Sequence, residues 1–238
     1  MKTVIIGGGP GGYTAAIRAA QLGAEVTLIE KDSMGGTCLN VGCIPTKALI
    51  HSADLYRKIR TEAGKNGIII GQDVTCDFES MQKKKSQVVK QLVTGVGSLM
   101  KANGIRVIKG TAAFTSDKAV EIRSEGETSE LTFDKAVIAS GSIPSALPIE
   151  GAELAGVVDS TGALSFDEIP GSLCIIGGGV IGIEMAHIYS SLGSKVTIVE
   201  MLPDILMNMD SDITAVMRKI MKKNKVSILT GTKVGGIE

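Results

Sequence analysis

A 29-residue segment occurs twice in this amino-acid sequence. The first copy, TVIIGGGPGGYTAAIRAAQLGAEVTLIEK, begins at Thr3, and the second, LCIIGGGVIGIEMAHIYSSLGSKVTIVEM, begins at Leu173; the two align without a gap, 170 positions apart. Each copy contains an apolar run, a glycine cluster, a helix-like stretch and a second apolar run that ends near a glutamate. This order predicts a strand, a helix and a second, parallel strand in each copy. The chain is therefore expected to have an α/β fold.

The glycine clusters have the spacing of dinucleotide-binding turns. They are Gly7, Gly9 and Gly12 in the first copy and Gly177, Gly179 and Gly182 in the second. The first glycine permits the tight turn, the second lets a pyrophosphate approach the backbone, and the third lets the helix pack closely on the strand. Glu30 and Glu200 close the second strands, where a carboxylate can accept a hydrogen bond from a ribose hydroxyl. One such motif is a weak signal, but two complete copies predict two Rossmann-like nucleotide-binding domains.

The segment between the copies predicts the remaining organisation. After two helical stretches, the short runs IRVIKGTAAF, KAVEIRS and LTFDKAVIASGS predict a β-meander and a final buried strand. The proline-containing stretch GSIPSALPIEG reads as a linker, which gives a first domain at residues 1–143 and a second at residues 144–238. The end of the second domain, VSILTGTKVGGIE, resembles IRVIKGTAAF and has no counterpart of the meander after it. We therefore expect the second domain to be incomplete.

Two cysteines five positions apart, Cys38 and Cys43, raise a separate question. A zinc site usually needs four ligands, and a structural disulfide that closes so short a loop adds little stability. The chain's other cysteines and histidines do not have zinc-ligand spacing: Cys76, Cys174, His51 and His187. A pair that cycles between dithiol and disulfide is therefore favoured over a zinc site or inert thiols.

The residues around Cys43 support this interpretation. Pro45 suits the first turn of a helix, so Cys43 is expected at a helix N-terminus, where the helix dipole favours a thiolate. In a regular helix a five-residue step rises about 7.5 Å, which exceeds the usual Cα separation of a disulfide. The turn must therefore be distorted, and Gly42 would allow this. Lys47 adds a cation one helical turn after Cys43.

The stretch GGTCLNVGCIPTKAL, between GGGPGGY and GGGVIGIE units, closely resembles the dihydrolipoamide dehydrogenases. These enzymes belong to the flavin-dependent pyridine nucleotide–disulfide oxidoreductases. The resemblance covers essentially the whole chain. Glutathione, trypanothione and mercuric reductases have similar cysteine segments, so a sibling disulfide reductase is one alternative. A nucleotide-binding module without catalysis is another, although simple binding needs neither the cysteines nor the lysine.

The resemblance implies that the first unit binds FAD. The residues concerned would be Gly7, Gly9, Gly12, Glu30, Gly36, Thr37, Lys47, Ala112, Ser140 and Gly141. Cys38 would be the thiol that exchanges with the substrate and Cys43 the thiolate that contacts the flavin. Lys47 would lie near the flavin and pair with Glu184. From spacing alone, Glu184, His187 and Ser191 could equally line the polar side of a helix.

The second unit would bind the nicotinamide cofactor through Gly177, Gly179, Gly182 and Glu200. A carboxylate such as Glu200 accepts a hydrogen bond from a ribose 2′-hydroxyl but repels a 2′-phosphate, so NAD is favoured over NADP. The stretch VEMLPDIL contains no arginine, whereas the NADPH-dependent glutathione reductases carry arginines in this region. This observation also argues against glutathione as the substrate.

The implied reaction oxidises dihydrolipoamide, on the lipoyl group of a 2-oxo acid dehydrogenase or glycine cleavage complex, with NAD⁺ as the final acceptor. In the family, a C-terminal interface domain provides the dimer contact and an acid–base histidine. This chain contains no counterpart, so we expect it to have little turnover alone and to hold FAD weakly, while the full-length protein would be a homodimer. The 25 basic and 25 acidic residues indicate neither a nucleic-acid nor a membrane partner. A cytoplasmic location is expected, because the N-terminus does not resemble a signal peptide.

Overall fold

The computed structural model describes residues 1–71 and 73–238, which form two compact units. The first unit comprises Met1–Pro45 and Ser86–Ile143, and the second comprises Thr46–Lys85 and Pro144–Glu238. The sequence predicted a division between residues 143 and 144. The structure also groups Thr46–Lys85 with the second unit, because apolar side chains of this segment, Leu49 among them, pack in that unit's core.

The first unit contains seven strands in two sheets. They are β1 (Lys2–Ile6), β2 (Glu25–Glu30), β3 (Arg106–Lys109), β4 (Thr111–Phe114), β5 (Ala119–Ser124), β6 (Glu127–Thr132) and β7 (Lys135–Ile138). A parallel sheet has the order β3-β2-β1-β7, and an antiparallel meander has the order β4-β5-β6. Its shorter helices are α1 (Pro10–Gln21) and α2 (Gly36–Asn40). Two long helices, α3 (Cys43–Glu62) and α4 (Phe78–Ala102), each run from one unit into the other.

The central residues of β1 and β2 are buried because both faces of the parallel sheet are covered. Side chains alternate along a strand, so Ile5 and Leu28 pack with the α1 and α4 side of the core. Val4 and Ile29 point the other way and pack with the meander residue Val120. This double burial explains why apolar residues follow one another directly in both strands, as in Val4-Ile5-Ile6 and Leu28-Ile29, instead of alternating with polar ones.

The meander begins later than the sequence predicted. The run IRVIKGTAAF is split at Gly110: its first half is β3 in the parallel sheet, and only its second half is the first meander strand. A Cβ atom at Gly110 would lie 2.6 Å from the carbonyl oxygen of Arg123, so glycine allows the chain to pass from one sheet to the other. The run LTFDKAVIASGS is split in the same way: its first residues end β6, and KAVI forms β7.

The second unit repeats part of this architecture. Its strands are β8 (Ser172–Ile176), β9 (Lys195–Val199) and β10 (Ser227–Leu229), and its helices are α5 (Ser160–Ala163), α6 (Val180–Leu192) and α7 (Ser211–Lys223). The parallel order β10-β9-β8 matches β3-β2-β1 of the first unit. The predicted pair of strand–helix–strand units is therefore confirmed. Among the described residues, β8 has no counterpart of β7 beside it, and the second unit contains no meander.

The core of the second unit lies along α6. Tyr189 is fully buried there, and its hydroxyl donates a hydrogen bond to the carbonyl oxygen of Ala163 at the end of α5. Burial raises the pKa of Tyr189 to about 12, so this hydroxyl stays protonated and keeps its role as a donor. Within the described ranges, no helix combines the length and the apolar character needed to span a membrane.

Candidate active site

The glycine turn between β1 and α1 brings three backbone segments into contact. Gly7 has a φ of +107°, and a Cβ atom there would lie 2.1 Å from the carbonyl oxygen of Ala139, just after β7. A Cβ atom at Gly12 would lie 1.8 Å from the carbonyl oxygen of Gly7. The N-cap residue of α1, Gly9, has no side chain to cap the helix, so the first backbone N–H groups of α1 are left for an anion. This cradle fits a pyrophosphate group.

Glu30 holds the same turn from the end of β2. Its Oε2 accepts a hydrogen bond from the N–H of Gly8 at 2.6 Å, and its Oε1 accepts one from the N–H of Asp32 at 2.8 Å. A carboxylate has about four acceptor positions, so two backbone bonds leave capacity for a ribose hydroxyl. The sequence predicted only the contact with the ribose; the bonds to the backbone show that Glu30 also shapes the turn.

The second copy reproduces these contacts. Glu200 accepts hydrogen bonds from the N–H groups of Gly178 and Leu202, each at 2.7 Å. A Cβ atom at Gly182 would lie 2.1 Å from the carbonyl oxygen of Gly177, whose φ is +111°. The sequence repeat is therefore also a repeat of hydrogen bonds, and the second turn is equally suited to a pyrophosphate.

The cysteine segment is attached to the first glycine turn. The N–H of Gly35 donates to the carbonyl oxygen of Gly8 at 2.8 Å, and a Cβ atom at Gly36 would lie 2.7 Å from the Cα of Gly9. Both Gly35 and Gly36 have positive φ, which glycine adopts without strain. Helix α2, which carries Cys38, therefore starts directly on the turn.

The chain between the two cysteines is not one continuous helix. Helix α2 ends at Asn40 and α3 begins at Cys43. A Cβ atom at Gly42 would lie 2.8 Å from the carbonyl oxygen of Thr37 and 3.3 Å from the Cα of Cys38. Gly42 thus lets the chain fold back against Cys38, which is the distortion that the cysteine spacing requires. Cys38 is half-buried and Cys43 is exposed.

Within the second unit, polar side chains of α6 meet polar side chains of α3. Lys47 Nζ donates to Glu184 Oε1 at 2.6 Å, so the two residues related by the family resemblance form an ion pair. His187 Nε2 lies 2.9 Å from Asp54 Oδ1, and His187 Nδ1 lies 3.3 Å from the side-chain nitrogen of Asn224. The sequence named no partner for His187, because Asp54 and Asn224 are distant in the chain.

The other residues predicted to contact FAD lie on α2, on β4 and in the segment after β7. Thr37 is exposed on α2, Ala112 is half-buried on β4, and Ser140 and Gly141 follow β7. The backbone nitrogen of Ser140 would lie 3.2 Å from a Cβ atom at Gly7, so this segment borders the first turn.

The two cysteines outside the motif differ in exposure. Cys174 is exposed on β8. Cys76 is half-buried, and burial together with the neighbouring Asp77 carboxylate raises the pKa of its thiol. A raised pKa lowers the thiolate fraction at neutral pH, which makes Cys76 a poor nucleophile.

Comparison with known proteins identifies related chains. The family described as pyridine nucleotide-disulphide oxidoreductase matches residues 1–238. The dihydrolipoyl dehydrogenase of Geobacillus stearothermophilus is 42% identical over 238 residues, which are 100% of this chain and 50% of that protein. A dihydrolipoyl dehydrogenase of Bacillus subtilis (strain 168) is 44% identical over 239 residues, 100% of this chain and 52% of that protein.

Solved structures agree with this result. The HOCl-induced flavoprotein disulfide reductase RclA from Escherichia coli superposes with a TM-score of 0.84 at 34% identity, covering 100% of this chain and 50% of that one. The chain spans about half the length of the relatives that it matches.

Proposed function

This chain belongs to the pyridine nucleotide-disulphide oxidoreductase family, and on that premise we propose that it is the FAD- and NAD-binding part of a dihydrolipoamide dehydrogenase. In this proposal Cys38 and Cys43 form the redox-active disulfide. The observation that carries the proposal is the attachment of the cysteine segment to the first glycine turn, through Gly35 and Gly36. A nucleotide-binding module without catalysis would not need its cysteines fixed to the cofactor cradle.

The first unit fits FAD because its turn offers uncapped N–H groups, close backbone approach and a carboxylate with remaining acceptor positions. The proposed FAD contacts are Gly7, Gly9, Gly12, Glu30, Gly36, Thr37, Lys47, Ala112, Ser140 and Gly141. When bound, FAD would supply a carrier that takes two electrons from the cysteine pair and passes a hydride to the nicotinamide.

The cysteines themselves would perform thiol–disulfide exchange. A thiolate of dihydrolipoamide attacks Cys38 Sγ in the oxidised pair, the S–S bond breaks, and Cys43 leaves as a thiolate. The second substrate thiol then displaces Cys38 and closes the lipoamide disulfide. Two electrons and two protons pass from the substrate to the cysteine pair. Cys43 is exposed and Cys38 is half-buried, so neither residue is closed off from solvent.

Lys47 and Glu184 would support the cysteine pair. Lys47 lies four residues after Cys43 in α3, and its ammonium is held by the Glu184 carboxylate at 2.6 Å. The lysine side chain is 58% exposed, so the pair contributes little to stability, below about 1 kcal/mol. In this proposal the pair has a positioning role, because the carboxylate would hold the lysine ammonium one helical turn after Cys43.

The second unit would bind NAD, through Gly177, Gly179, Gly182 and Glu200. Glu200 is buried and accepts two backbone hydrogen bonds, so its carboxylate is held at the turn. A ribose 2′-hydroxyl can donate to this carboxylate, whereas a 2′-phosphate would be repelled.

An isosteric substitution that removes the negative charge of Glu200 tests the nucleotide preference. In the Glu200→Gln variant we expect the ratio of the NADPH to the NADH dissociation constant to fall about tenfold, which corresponds to about 1.4 kcal/mol of like-charge repulsion removed. Isothermal titration of both nucleotides measures the ratio. Glu30→Gln is the matched control in the first unit and should leave the ratio unchanged. An unchanged ratio in Glu200→Gln would contradict the assignment of NAD.

A sibling disulfide reductase is the second candidate, because the similarity to RclA also spans the whole chain. Anaerobic reduction of the FAD-loaded chain distinguishes the two. We expect dihydrolipoamide to add a long-wavelength thiolate band to the flavin spectrum and glutathione at equal thiol concentration to leave the spectrum unchanged. Reduction by glutathione and not by dihydrolipoamide would favour the sibling. Sustained lipoamide turnover is not expected from these 238 residues alone. A cytoplasmic location stays a prediction.

A further inference from the structure

The second unit contains a surface cavity of about 550 Å³ that lies apart from its glycine turn. Residues of α3, the C-terminal end of α6 and the end of α7 line it. The glycine turn is at the opposite end of α6, about 18 Å away along a 13-residue helix. The cavity also lies where β8, β9 and β10 begin, whereas the dinucleotide turn lies where β8 ends.

The cavity lining is strongly basic. Five of its residues are cationic, and the lining includes neither aspartate nor glutamate; the five are Arg57, Arg60, Lys195, Lys223 and Lys225. Two carboxylates, Asp54 and Glu62, lie beside Arg57. Helices α3, α6 and α7 also end here, and each helix C-terminus carries about half a negative charge. Five positive charges against these groups leave an excess of roughly 1.5 positive charges.

The two arginines are held in place by their neighbours. The guanidinium of Arg60 lies 5.2 Å from the centre of the Tyr56 ring and its Nη1 donates to the Tyr56 hydroxyl at 3.3 Å. Arg57 lies 3.4 Å from Asp54 Oδ1 and 3.7 Å from Glu62 Oε1. Side chains that are already ordered lose less entropy when they bind a ligand.

Two buried polar atoms at this cavity lack partners among the described residues. Ser191 is 5% exposed and its hydroxyl makes no hydrogen bond, and the Nε of Arg57 is buried without an acceptor. Both residues line the cavity. A buried donor without a partner costs about 1–3 kcal/mol, so a small side-chain shift that turned either donor toward a bound acceptor group would relieve an existing penalty.

We propose that this cavity binds a small phosphate-bearing anion, with a pyrophosphate group as the part recognised. Arginine favours phosphate because its planar guanidinium donates two parallel hydrogen bonds to the oxygens. The preordered arginines, the excess of positive charge and the unsatisfied donors together match several acceptor oxygens on one compact ligand. This site is separate from the dinucleotide turn and does not rest on the proposed dehydrogenase activity.

Calorimetric titration of inorganic pyrophosphate into the chain tests this proposal, with FAD and NADH both present in excess to occupy the two glycine turns. We expect one pyrophosphate per chain and an affinity that weakens as salt is added. ADP in place of pyrophosphate distinguishes a nucleotide from free pyrophosphate as the source of the group. In the Arg60→Gln/Lys223→Gln variant we expect binding at least about tenfold weaker, because two charge-assisted contacts are lost.

Matched variants decide whether the effect is local. Lys58→Gln/Lys222→Gln removes the same charge from the same two helices at residues outside the cavity lining, and should change the affinity less than about twofold. Ser191→Ala should weaken binding without lowering thermal stability, because its hydroxyl is unsatisfied in the unliganded chain. Absence of pyrophosphate binding, or equal weakening in both double variants, would overturn the proposal.

Discussion

The Gly12→Ala variant is expected to lose FAD binding and to lower the free energy of unfolding of the first unit by about 1–3 kcal/mol. The added Cβ atom would lie 1.8 Å from the carbonyl oxygen of Gly7, far inside van der Waals contact. Because the backbone fixes the position of the Cβ atom and the oxygen is itself a backbone atom, no side-chain rotation relieves the clash, and α1 has to move away from β1. That movement opens the cradle formed by Gly7 and Gly9. Chemical denaturation of the apo chain and titration with FAD measure the two effects.

Gly11→Ala is the control for this substitution. Its Cβ atom would meet only the Cβ of Ala139, at 3.8 Å, which is ordinary contact. Alanine is also better than glycine inside a helix by about 1 kcal/mol, so the expected result is unchanged or slightly higher stability with normal FAD binding. If Gly11→Ala and Gly12→Ala had equal effects, the close contact between Gly12 and Gly7 would not be the reason why position 12 requires glycine.

The Cys43→Ser variant is expected to lose disulfide exchange completely. Without Cys43 Sγ, Cys38 has no neighbouring thiolate to form or release a disulfide, so the chain can make only mixed disulfides with external thiols. Reaction of the oxidised chain with dihydrolipoamide, followed by release of lipoamide, measures the loss. Cys174→Ser is the control, because Cys174 is exposed on β8 but lies outside the motif. If the wild-type chain and Cys43→Ser released lipoamide equally, Cys43 would not take part in the exchange reaction.

Much of the fold could be predicted because its strongest signals are local. The glycine spacing and the closing glutamates depend only on the geometry of one strand–turn–helix unit, and Gly12 and Gly182 occupy equivalent positions in the structure. The need for a distorted turn between Cys38 and Cys43 also followed from helix geometry alone. Gly42 provides that turn by its close approach to Cys38.

Other features depend on contacts between distant segments, which no local pattern contains. The partners of His187 are Asp54 and Asn224, on different helices. The split of one apolar run at Gly110 depends on its contact with Arg123, across the meander. The grouping of Thr46–Lys85 with the second unit depends on apolar packing that periodicity alone does not assign to a partner. The basic cavity likewise combines α3 with α6 and α7.

The central claim is that Cys43 lies against FAD held by the first glycine turn. The most direct measurement is the visible absorption spectrum of the FAD-loaded chain before and after anaerobic two-electron reduction. We predict a flavin spectrum that gains a long-wavelength band from the Cys43 thiolate, and loses that band in Cys43→Ser but not in Cys174→Ser. Bound flavin that is reduced without any such band would contradict the claim.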